Sequence, residues 1–171
     1  MFTIILIIVA SFVGYNYFVK DHALKNAPKG VVMQEEDDPE AFNAFLKKMS
    51  FEVLKDEIVT SDMIRDFFYK VRDNKYDKKE IEKTYEKMRR RLTQHIEDVN
   101  GRAAPKKFFD AHKKNAEGLG HMYQCIVALR ATPKAKTPEE RKKLLEDAGK
   151  HWRQGRAGID YAKSIIRHPN S

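Results

Sequence analysis

Apolar and polar positions follow two patterns along this chain: an unbroken apolar run at its start, then three-four alternation over most of the remainder. From Phe2 to Val19 no residue is charged. Such a run, helical at about 1.5 Å per residue, reaches about 27 Å, close to a hydrocarbon core roughly 30 Å thick. No Lys or Arg precedes the run and no A-x-A-like site closes it, so a retained membrane anchor is expected over a cleaved secretory signal. Tyr15, Tyr17 and Phe18 then fall at the interface, where amphipathic rings are favoured. Lys20, Lys25 and Lys29 follow the run, and the positive-inside rule puts that side in the cytoplasm, or in the matrix of a mitochondrion.

Residues 27–38 read as a linker, with Pro28 and Gly30 as breakers before the acidic run Glu35 to Asp38. Pro39 suits the first turn of a helix capped by Asp38. Its apolar face carries Phe42, Phe45, Leu46 and Met49, and it continues or kinks near Ser50 before Val53, Leu54 and Ile58. Thr60 or Ser61 is expected to cap a further helix bearing Ile64, Phe67, Phe68 and Val71, which ends at Asp73-Asn74.

Three longer helices follow. From Asp77, the residues Ile81, Tyr85, Met88, Leu92, His95 and Val99 keep the period of a helix seam, and Asn100-Gly101 stops it. Pro105 opens the next, with Phe108, His112, Leu119, Met122, Ile126 and Leu129 on its seam and Ala131-Thr132-Pro133 at its end. The pattern Thr137-Pro138-Glu139-Glu140 combines a capping box with a proline at the first helical position. After it come Leu145, Ala148, Trp152, Gly155, Ile159, Ala162 and Ile166, with a stop before Pro169. Short connections make these three antiparallel neighbours, completed by the two earlier segments. The expected fold is all-α: residues 1–26 as anchor and flank, 27–38 as linker, 39–171 as a helical bundle.

Composition agrees, since Pro (6) and Gly (8) are few and no alternating β-branched run is present. Net charge is +8, from 33 Lys+Arg against 25 Asp+Glu, which suits an anionic partner such as phospholipid or nucleic acid. The groups that could serve are Lys87, Arg89, Arg90 and Arg91 with Lys106 and Lys107. Acids lie close to most of them, so solvated helix faces are the plainer reading.

Catalytic signatures are missing: no Gly-rich phosphate loop, H-E-x-x-H, CxxC pair or G-x-S-x-G occurs. Cys125 has His121 one turn before it, yet sits in the apolar stretch Met122 to Leu129 and reads as a small buried hydrophobe. Gly118 and Gly120 should fall opposite His151 and Gly149, either for close backbone approach or to line a small cavity with His121, Tyr123, His151 and Trp152. His95 should come near Asp110 and His112, a set that could bind a transition metal but lacks a di-iron motif. Leu119-Gly120-x-x-Tyr123 matches a fragment of the tetratricopeptide pattern, but no second copy lies about 34 residues away.

The sequence thus predicts a membrane-anchored, non-catalytic helical bundle, an adaptor or accessory subunit of a membrane complex. It needs no cofactor, contacts the bilayer through Phe2 to Val19 and takes a protein partner at the membrane. The alternatives are a tethered binder of anionic lipid or nucleic acid through the basic residues above, or a bundle that binds a metal or small ligand.

Overall fold

The computed structural model describes residues 33–34 and 39–167, and they are almost entirely helical. Helix α1 (Pro39–Lys48) runs through a π-helical turn (Met49–Val53) into α2 (Leu54–Arg72); α3 (Lys78–Asn100), α4 (Phe109–Ala131) and α5 (Pro138–Arg167) follow. The anchor prediction for Phe2 to Val19 and the Asp38 cap lie outside the described residues. No helix among the described residues is long and apolar enough to cross a membrane. Part of the predicted linker is structured, because Met33–Gln34 pairs in parallel with Ala104–Pro105.

Local chemistry sets the helix ends. Asp77 caps α3 through a full box: its Oδ1 accepts from Glu80 N at 2.8 Å and Glu80 Oε2 accepts from Asp77 N at 2.9 Å. At α5, Thr137 Oγ1 accepts from Glu140 N at 3.1 Å, while the Glu140 carboxylate reaches one residue further back, to Lys136 N at 2.7 Å. Asn74, at φ 55°, turns the chain after α2, a left-handed position that Asn tolerates.

One expected boundary is absent. Thr60 and Ser61 do not begin a helix; both are buried inside α2, which starts at Leu54. Their hydroxyls look like caps in the sequence, but the π turn has already carried the helix through Ser50 without a break. That wider turn shifts the phase of the apolar stripe, and Met49, Val53 and Leu54 all reach the core.

The helices α2 to α5 alternate in direction as a bundle. Pairs such as Trp152 with Ser61 and Arg141 with Val71 set α5 antiparallel to α2, and His112 with Val99 and Arg130 with Glu82 do the same for α3 and α4. Helix α4 is central and buries residues around most of its girth, including Ala111, Asn115, Leu119, Met122, Cys125 and Ile126. All six predicted seam residues of α3 are buried, as are all six of the helix after Pro105. Phe45 of α1 stacks on Phe108 at 5.9 Å and meets His112 edge-on at 5.4 Å, closing one end of the core.

Glycines set the approach of α4 to α5. A Cβ on Gly158 would lie 2.6 Å from the Lys114 carbonyl oxygen, and one on Gly155 would lie 2.8 Å from that of Gly118. The predicted pairing of Gly118 and Gly120 with His151 and Gly149 is therefore corrected. Gly118 meets Gly155 and Gly158, one and two turns beyond His151 along α5, while Gly120 has open space at its Cβ position. A 3₁₀ turn at Thr132–Lys134 extends the α4 side of the connection and so shifts the register along α5.

Candidate functional site

His121 on α4 faces His151 on α5, with Nδ1 atoms 3.1 Å apart and ring centroids at 5.3 Å. Both rings are half-buried. At this spacing one neutral imidazole donates its Nδ1 proton to the other. Burial pushes both below the ordinary histidine range; Lys150 adds to this for each, and His121 adds to it for His151. Glu117, one turn before His121, and Asp147, one turn before His151, pull the other way.

The other two residues of the predicted cavity turn elsewhere. Tyr123 is buried, and its phenol interacts electrostatically with Arg89 of α3. Trp152 is half-buried against the core and donates its indole Nε1–H to the Ser61 carbonyl at 3.1 Å. The structure sets the two histidines side by side, but Tyr123 lies two residues from His121, on a different face of α4.

The histidines proposed for metal are engaged separately. His95 Nε2 contacts Thr60 Oγ1 at 3.0 Å and Asp56 Oδ2 at 3.3 Å, on the α2 side. His112 Nε2 donates to the Val99 carbonyl at 3.0 Å. Burial lowers the pKa of each. Among the described residues no group of three or more His, Cys, Asp or Glu gathers as a metal centre. Cys125 is fully buried, and that burial pushes its thiol up to about 12, so it stays protonated and unreactive.

Sequence reasoning passed over a buried polar cluster between α2 and α4. Glu57 is 1% exposed, and its Oε1 accepts from Asn115 Nδ2 at 3.1 Å. Glu57 Oε2, Ser61 Oγ and Asn115 Oδ1 are buried without a hydrogen-bond partner among the described residues. Burial raises the Glu57 carboxyl to about 8, against the lowering effect of the Asn115 hydrogen bond. The available signal was three polar residues, Glu57, Thr60 and Ser61, on the stripe that carries Leu54, Ile64 and Phe67.

The basic residues do not make one stripe. Arg89 pairs with Glu86 at 2.9 Å and Arg91 with Asp56 at 2.6 Å. Lys87, Arg90, Lys106 and Lys107 are exposed. Arg90 and Lys106 are separated by the last ten residues of α3, a rise of about 15 Å, and then by the turn at Gly101. Compared with protein-family models, curated proteins and solved structures, the chain matches none.

Proposed function

We propose that this chain is a membrane-anchored helical bundle without catalytic activity, acting as an adaptor or accessory subunit of a membrane complex. The observation that carries the reading is the uncharged run from Phe2 to Val19 joined to a bundle with its own core. Engagement of His95, His112 and Cys125 in packing supports a structural role for these groups. Glu86 and Asp56, set among the basic residues of α3, favour a protein partner over a phosphate backbone.

The test has two arms. After carbonate extraction the full-length chain should stay in the membrane pellet with its N-terminus intact by mass; release into the supernatant rejects the anchor. Solubilised in mild detergent, it should migrate in a complex larger than itself plus a micelle. Migration alone rejects the accessory-subunit role.

A further inference from the structure

We propose that His121 and His151 form a two-imidazole site for a divalent transition-metal ion of the zinc class, bridging α4 and α5. This goes beyond the adaptor reading and does not depend on it. The first argument is the bite. With metal–nitrogen bonds of about 2.0–2.1 Å, two ligands on one ion stand about 2.9 Å apart at a right angle and about 3.3 Å apart at the tetrahedral angle. The two Nδ1 atoms stand 3.1 Å apart, inside that window.

Preorganisation is the second argument. Gly118 lies one turn before His121 and Gly155 one turn after His151, and the backbones touch there closely enough that no Cβ fits. That close backbone approach holds α4 and α5 together beside the pair, so the fold itself brings the imidazoles to this spacing. Ligands brought together by the fold in this way lower the ordering cost of binding.

Access and charge complete the case. Both residues are partly exposed, so the pair lies at the solvent edge of the α4–α5 contact. No third His, Cys, Asp or Glu joins them among the described residues, so the pair supplies two ligands, fewer than the three or four of established zinc sites, and water fills the remaining coordination positions. Glu117 and Asp147 bring negative charge toward the pair, although Glu117 is held by Lys114 at 2.7 Å. Lys150 acts against a cation, and its removal should strengthen binding.

The experiment titrates Zn²⁺ into the full chain, freed of metal by chelator, with calorimetry near neutral pH. About one equivalent should bind. His121→Ala and His151→Ala should each weaken binding roughly tenfold or more, because even outer-shell partners are worth about 10–100-fold. Lys150→Ala should bind at least as tightly as the parent. Where an alanine variant loses helix by circular dichroism, His121→Gln takes its place. Cu²⁺ supplies an independent readout: its electron paramagnetic resonance spectrum should show two coupled nitrogens in the parent and one in either single variant. A parent chain that takes up no Zn²⁺, or a double variant that takes up as much as the parent, would reduce the pair to a hydrogen bond and overturn the site.

Discussion

The Asn115 side chain donates to the Glu57 carboxyl across 3.1 Å, joining α4 to α2 between residues 58 positions apart, and neither residue is more than 1% exposed. Among the described residues the charges that act on Glu57 are Asp56 and Asp98, both of which raise its pKa. The folded state therefore holds this carboxyl protonated at neutral pH, with a pKa of about 8 against 4.5 in the ordinary case.

A stability profile follows from that difference. Because the folded pKa is raised, the folded state binds the proton more tightly than the unfolded one. The contribution is fully present below about pH 4.5 and is lost as pH rises toward about 8. From this group alone the total is on the order of 5 kcal/mol. Glu57→Gln keeps the shape and an acceptor for Asn115 but carries no proton to lose. Urea unfolding between pH 5 and 8, a window inside about 4.5–8, should show a falling stability in the parent and a flatter one in Glu57→Gln. Parallel profiles would disprove the assignment.

The two glycines of α4 should behave in opposite ways. Gly118→Ala would drive a methyl to 2.8 Å from the Gly155 carbonyl oxygen, a backbone atom that cannot step aside. Overpacking of this kind costs about 1–3 kcal/mol. At Gly120 a Cβ meets nothing within 4 Å, and alanine is the better helix former by about 1 kcal/mol. Thermal unfolding of both variants checks the pair: a lower midpoint for Gly118→Ala and a higher one for Gly120→Ala. Equal shifts would mean that α4 and α5 do not cross at Gly118.

The elements were legible where one periodicity ran unbroken. Ile81 through Val99 shows the seam of α3 because every inward position is apolar or His, and Asp77 sits where a cap is needed. Continuation of the helix past Ser50 was legible, but the start expected at Thr60 or Ser61 was not there, because the π turn shifts the stripe and leaves these hydroxyls inside a helix. The approach of His121 to His151 was legible only in outline. Helix register was set by Gly118, Gly155 and Gly158 in contact, which loop length does not encode. Glu57 stayed hidden because a carboxylate among hydroxyls reads as a polar face until α4 is seen to cover it.

The basic residues lead to a prediction about anions. Arg89 and Arg91 are already paired, and the exposed Lys87 and Arg90 stand well apart from Lys106 and Lys107. Attraction to vesicles or duplex DNA should then be weak and should fade by about 0.15 M salt, where screening reaches about 8 Å. Co-sedimentation across a salt series measures it. Tight or sequence-selective binding that survives such salt would favour the anion-binding alternative over a protein adaptor.

Trp152 tests how the bundle holds α2 against α5. On the seam where the sequence puts it, Trp152 is half-buried in the structure, with its Nε1–H on the Ser61 carbonyl. Trp152→Ala removes both the packing and the bond, so the loss should fall at or below the low end of the roughly 3–5 kcal/mol typical of buried Trp truncations. Trp152→Phe keeps most of the apolar contact and removes the donor alone. That change should cost about 1 kcal/mol, the net worth of one hydrogen bond. Urea unfolding of the two variants separates the contributions. If Trp152→Phe destabilised as much as Trp152→Ala, the hydrogen bond to Ser61 would carry the contact; if neither differed from the parent, α5 would not rest on α2 through this ring.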